Sequence, residues 1–169
     1  MTLVARALAL DEAGARALNE LIRRSSGARL LARTASRGLA GCEIVLMGVL
    51  ALRGHRRTAL RMLYAVCIIY LTSEAIGLVL ARQRPFAQVS DVQELLSHHP
   101  ARSFPSRHVA SAVAMALLAR DSDRRVARAM ASVAALLGVS RIAAGLHYPS
   151  DVVAGASLGF TISRYVRKA

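Results

Sequence analysis

Apolar positions in this chain gather into long runs separated by short, arginine-rich breaks, and the longer runs have the length of membrane-crossing helices rather than strands. The plainest is Met62 to Ala81, in which Glu74 is the only charge. At ~1.5 Å per residue such a run covers about the thickness of a hydrocarbon core. Leu30 to Leu52 predicts an earlier span, strongly apolar only in its second half. Arg33 and Arg37 lie near its start, where long side chains snorkel to headgroups, and Glu43 is expected to face protein rather than lipid. Val126 to Arg141 and Asp151 to Tyr165 predict two more spans, the second with Gly155 and Gly159 spaced for close helix packing. The alanine-rich run Val109 to Ala119 is short and is expected to lie buried among the others. Upstream, residues 10–24 place Ala15, Leu18, Leu21 and Ile22 near one face, which predicts an amphipathic helix ended by Ser25, Ser26 and Gly27. A helix lying in the membrane interface and one docked on the bundle both fit that pattern; residues 1–27 are assigned as an amphipathic interfacial segment. The fold class expected is all-α, an integral-membrane bundle of about five transmembrane helices forming one domain over residues 1–169.

Charge refines this picture. The net charge is +13, with 54% hydrophobic residues and only 4% aromatic. A soluble nucleic-acid binder rarely carries so much aliphatic sequence, and this chain has few rings on which bases would stack. The turns at 53–57 and 120–125 and the C-terminus hold eleven of the 23 basic residues when Arg61, Arg128 and Arg164 are included. The positive-inside rule places those turns in the cytoplasm. With five spans, the loop over 86–104 and the bend over 140–151 then share the opposite, extracytoplasmic face. Seven arginines up to Arg37 lie on that side too and weigh against the assignment. Cys42 and Cys67 sit within apolar runs without metal-ligand spacing and read as reduced thiols.

The candidate chemistry collects at that shared face. Ser140, Arg141, His147 and Asp151 fall within twelve residues, SRIAAGLHYPSD. Arg141 offers a planar fork of donors for phosphate, His147 a nucleophile, and Asp151 an acceptor that fixes the imidazole tautomer. Ser106, Arg107 and His108 follow Pro105 at the start of a helix, and Arg82 and Arg84 precede Pro85 at the end of another. Several fixed cations suit a tetrahedral dianion, and two imidazoles suit a nucleophile and a general acid. No metal or other cofactor is required by that set.

These residues resemble the motifs of the type 2 phosphatidic acid phosphatase superfamily, written K-x6-R-P, P-S-G-H and S-R-x5-H-x3-D. The third is complete in Ser140, Arg141, His147 and Asp151; the second reads Pro105, Ser106, Arg107, His108, with arginine in place of glycine. In the first, Arg84 and Pro85 match, but Gly77 stands where the family has lysine. The resemblance runs from about Glu74 to the C-terminus, and its wording is most similar to bacterial undecaprenyl-pyrophosphate phosphatases of the bacitracin-resistance type.

The resemblance implies metal-independent hydrolysis of the terminal phosphate of a membrane lipid pyrophosphate through a phosphohistidine. His147 would be the nucleophile, Asp151 its orienter and His108 the general acid. Arg84, Arg141 and Ser106 would cradle phosphate, with Ser140 beside them. Arg107 is expected to replace the lysine missing at Gly77, with Arg82 as the alternative. A phosphatase for phosphatidate or phosphatidylglycerol phosphate, and an inactive lipid-phosphate binder or transporter, are the competing expectations. The partners implied are the lipid substrate and the bilayer of the inner (plasma) membrane, with no nucleic acid.

Overall fold

A computed structural model describes residues 3–168, and every regular element among them is helical. α1 (Leu3–Arg23) and α2 (Ser26–Leu52) are separated by little more than Ser25. The expected break at 25–27 is therefore a corner and not a loop: the Ser25 hydroxyl accepts from the Ala28 amide and restarts the helix at once. α3 (Arg56–Leu80) ends on Ala81, which adopts φ 43° and returns its N–H to the Gly77 carbonyl. Arg84 is extended ahead of Pro85, as the steric demand of proline requires, and Pro85 opens the single turn α4 (Pro85–Gln88). α5 (Arg107–Ala119), α6 (Arg124–Ala143) and α7 (Pro149–Lys168) complete the chain.

α5 is the axis of the bundle. It packs against α7, α6, α3 and α2, and most of its side chains are buried on every side. Its small residues allow this closeness. A Cβ at Gly155 would lie 2.5 Å from the Ser106 carbonyl oxygen, and one at Gly159 would lie 2.2 Å from that of Ala110, so the glycine pair on α7 lets two backbones touch. The main core lies deeper along the same helix, where Ala110, Ala114, Met115 and Leu118 meet Leu50, Met62, Ile69, Met130 and Val166.

Among the described residues, three helical stretches, Ser26–Leu52, Arg56–Gln88 (α3 together with α4) and Arg124–Ala143, are long and apolar enough to cross a membrane, and α5 is a shorter apolar helix. α7 has 20 residues, enough to cross at ~1.5 Å per residue, although its polar ends lower its hydropathy. The outer surface is apolar as well. Ile44, Val45, Leu63, Leu71, Leu78, Val79, Leu136, Val153 and Phe160 are all exposed, an arrangement suited to lipid and costly in water.

α1 is docked on the bundle through one face. A Cβ at Gly14 would press to 2.9 Å from Pro149 Cγ, Ala15 is fully buried, and Asn19 is fully buried beside it. The Asn19 amide donates to the Gln93 and Ala143 carbonyls at 2.9 and 2.8 Å, and its oxygen accepts from the Gln93 N–H at 2.9 Å. Leu8, Leu10 and Leu21 remain exposed on the other face. The helix is amphipathic as its pattern predicts, and its polar residues reach into the bundle.

At the end of the bundle remote from α1, Arg53 pairs with Asp123 at 3.1 Å and Thr58 bonds Ser122, tying the two arginine-rich turns together.

Candidate active site

The C-terminal ends of α3 and α6 and the N-terminal ends of α5 and α7 converge at one end of the bundle. The loop between α4 and α5 closes over them. Gly145 holds that loop down: at φ 75°, a Cβ there would lie 2.7 Å from the Gln93 carbonyl oxygen. Beneath lies a cavity of about 330 Å³ whose lining includes Arg84, Arg102, Arg107, His108, Arg141 and His147.

His147 sits on the bend between α6 and α7 and is 4% exposed. Its Nδ1 is 3.6 Å from Oδ2 of Asp151, which is fully buried. Asp151 is held from three sides. Its Oδ2 accepts from the Tyr148 amide at 2.9 Å, its Oδ1 accepts from Arg82 at 2.6 Å, and its backbone carbonyl accepts from the Ser106 amide at 3.0 Å. With a carboxylate on the Nδ1 side, the Nε2 lone pair is the one that looks toward Arg84, 3.4 Å away. Burial, reinforced by the charges of Arg84 and Arg141, pushes the imidazole down to about 4, although Asp151 opposes the shift. The ring is therefore neutral at pH 7, the state a nucleophile needs.

His108 has the opposite polarity. Arg141 lies 2.6 Å from its Nδ1, and because a guanidinium only donates, Nδ1 is an acceptor and the neutral ring carries its proton on Nε2. Arg84 is 8% exposed and is locked by its Nε to the His99 carbonyl at 2.9 Å and by Nη1 to the Leu146 carbonyl at 2.8 Å. Arg141, 3% exposed, leaves its Nε without a partner, and the fully buried Ser106 hydroxyl is also unpartnered. Leaving such buried donors unbonded costs about 1–3 kcal/mol each, so both are suited to hold an acceptor.

Not every residue singled out in the sequence faces this cavity. Arg82 turns away: its fork is divided between Asp151 and Asp11, the latter at 2.6 Å, and its guanidinium lies 4.1 Å from the Tyr148 ring centre. It braces the carboxylate behind His147 instead of lining the cavity. The Ser140 hydroxyl donates to the Leu137 carbonyl at 2.8 Å and its own carbonyl accepts from Ser36, so this serine anchors the end of α6 against α2. Ser106 caps α5 without a side-chain capping bond, which leaves its hydroxyl free. Arg107 does line the cavity, stacked 5.2 Å from the Tyr70 ring centre and 3.5 Å from Glu74.

Further residues enter that sequence reasoning did not assign to the site: Arg102, which ion-pairs with Glu74, His98 and His99 on the covering loop, Ser73 and Glu74 on α3, and Asp11 on α1. A lone arginine or histidine in a loop carries no spacing signal, and Asp11 reads only as a favourable charge near the start of a helix.

Beside this cavity runs an apolar groove of about 300 Å³ between α2, α3 and α5, lined by Ile44, Met47, Leu63, Val66 and Met115. His108 and Tyr70 border it. Glu43 also lines it; it is 1% exposed, facing protein as its sequence setting predicts, and neither carboxylate oxygen has a partner among the described residues.

Fold and site define a helical membrane bundle with a cavity at one end lined by imidazoles and guanidiniums. The chain belongs to the PAP2 superfamily, whose model matches residues 58–169. It is similar to the bacitracin transport permease protein BcrC of Bacillus licheniformis, 32% identical over 114 residues that make up 65% of this chain and 56% of that protein. It is similar also to the undecaprenyl-diphosphatase BcrC of Bacillus subtilis, 34% identical over 94 residues, 53% of this chain and 48% of that one. The matched region thus spans about half the length of these relatives. Among solved structures, Aquifex aeolicus LpxE shares the fold with a TM-score of 0.82, covering 95% of this chain and 96% of that one at 23% sequence identity.

Proposed function

We propose that this protein removes the terminal phosphate from a polyprenyl diphosphate, undecaprenyl pyrophosphate, at the extracytoplasmic face of the inner (plasma) membrane. The observation that carries the reading is the opposed polarity of the two imidazoles on one cavity. His147 has a carboxylate behind Nδ1, and His108 has an arginine donating to Nδ1. One ring therefore presents a lone pair and the other an N–H donor, the two groups that a nucleophile and a leaving-group partner require.

In the first step, Nε2 of His147 forms a bond to the terminal phosphorus as the bridging P–O bond breaks. As the diphosphate binds, Arg141 turns its donors to the phosphate and His108 takes up the proton that the diphosphate carries; the departing lipid phosphate then takes the Nε2 proton of this imidazolium and leaves the ring neutral, while Asp151 stabilises the imidazolium developing on His147. In the second step His108 accepts a proton from water, the resulting hydroxide attacks phosphorus, and the P–N bond breaks to release inorganic phosphate. Arg84, Arg141 and Ser106 donate to the equatorial oxygens, whose charge the transition state redistributes. The prenyl chain lies in the groove that His108 borders, so that the head group meets the histidines from the lipid side.

The similarity to a protein named as an undecaprenyl-diphosphatase supports this substrate, and the arginine-rich turns at the opposite end support the orientation. The test is phosphate release by the purified protein in detergent, with excess EDTA, from undecaprenyl pyrophosphate, phosphatidate and phosphatidylglycerol phosphate. The reading expects undecaprenyl pyrophosphate to give the highest kcat/KM. Preference for a glycerolipid overturns the substrate, release of no phosphate from any of the three favours a binder or transporter, and dependence on added divalent metal overturns the mechanism.

A further inference from the structure

The cations around the cavity lie in two layers. Arg84 and Arg141 are 8% and 3% exposed and sit against the histidines, whereas the side chains of Arg102 and Arg107 are 48% and 45% exposed. The outer two share one carboxylate, Glu74, with Arg102 on Oε1 and Arg107 on Oε2. Arg102 reaches this position from the covering loop at φ 64°, and its stem lies over Gly77, where a Cβ would stand 3.5 Å from Arg102 Cβ. A longer side chain at 77 would enter the space Arg102 occupies. Next to Glu74, Ser73 also lines the cavity, 6% exposed and with its hydroxyl unpartnered.

We infer that Arg102, Arg107 and Ser73 form a second phosphate subsite, which holds the lipid-linked phosphate of a diphosphate while the inner layer holds the terminal one. Glu74 is the anion that bridges the outer pair until a phosphate displaces it. The charges agree with this assignment. Four arginines and one glutamate give the cavity +3, close to the charge that a diphosphate monoester carries near neutral pH, about one more than the ~−2 of a phosphate monoester. Two inner arginines already match a monoester, so an outer pair serves only a ligand with a second anionic group. The subsite rests on the proposed activity for its role in turnover, but it predicts an anion preference that can be measured without turnover.

The test is calorimetric binding of inorganic pyrophosphate and of inorganic phosphate to the full chain in detergent. The wild type should bind pyrophosphate the more tightly. Arg102→Ala should weaken pyrophosphate by about ten- to a hundred-fold, the usual worth of a charge-assisted contact, and phosphate far less. Arg102→Lys should recover part of the loss. Glu74→Gln should act in the opposite direction and tighten pyrophosphate, because the competing anion is gone. Equal affinity for the two anions in the wild type overturns the subsite. So does an equal loss for both in Arg102→Ala, or a Glu74→Gln variant that binds pyrophosphate more weakly, the result expected if the ion pairs merely hold the loop. If the anion preference appears but no lipid is hydrolysed, the subsite stands and the proposed activity falls.

Discussion

Arg82 connects two buried carboxylates from different ends of the sequence: its Nη1 is 2.6 Å from Asp151 and its Nη2 is 2.6 Å from Asp11. Asp11 in turn accepts from the Ser150 amide at 2.8 Å and from the Ser150 hydroxyl. The N-terminal helix thereby reaches the carboxylate behind His147 without approaching the cavity. Removing Arg82 leaves two buried carboxylates without their counter-ion, a loss of about 3–5 kcal/mol in comparable buried pairs. Arg82→Ala should therefore lower the thermal midpoint in detergent and reduce kcat more than it raises KM. Asp11→Ala should do the same more mildly, and the double variant should fall short of the sum of the two. Additive effects would separate α1 from the carboxylate behind His147.

The buried setting of His147 predicts an unusual titration. Its imidazole is depressed from about 6.5 to about 4, so it takes up a proton only as the pH falls through about 4. The ring is neutral throughout the range above that. Nitrogen NMR of histidine-labelled protein, assigned by comparison with His147→Gln, should show one ring that stays neutral at pH 5.5, where an exposed histidine is mostly protonated. A His147 titrating near 6.5 would contradict the buried geometry.

Much of this molecule was legible in the sequence. Helix type and order follow from the apolar runs, and Gly155 and Gly159 mark the α5–α7 contact because only glycine permits it. The spacing of Arg141, His147 and Asp151 fixed their meeting, since a helix end and a single bend join them. What was not legible depends on contacts distant in sequence. Asn19 clamps Gln93 and Ala143 across 74 and 124 positions, and nothing near residue 19 signals it. Arg82 and Arg84 look equivalent in the chain, yet the extended turn before Pro85 sends one to the carboxylates and the other to the cavity. Arg102 lies against Gly77 from 25 positions away, a relation that no local pattern encodes.

Orientation is tested from the covering loop. Gln93 is exposed there, and Cys42 and Cys67 are free thiols that would be replaced first. A cysteine at position 93 should react with a membrane-impermeant thiol reagent in intact cells. Labelling only after the membrane is opened would turn the site to the cytoplasm and remove the extracytoplasmic assignment.

The central claim is that His147 becomes phosphorylated, and trapping the intermediate tests it most directly. In the proposed mechanism His108 donates the first proton and activates the water of the second step, so His108→Gln should slow hydrolysis of the phosphoenzyme. Brief incubation of that variant with undecaprenyl pyrophosphate labelled in its terminal phosphate should leave label on the protein, stable in alkali and lost in acid, as a phosphoramidate is. The label should map to the peptide that contains His147 and vanish in His108→Gln/His147→Ala. Label on any other residue, or undiminished turnover by His147→Ala alone, would contradict the account.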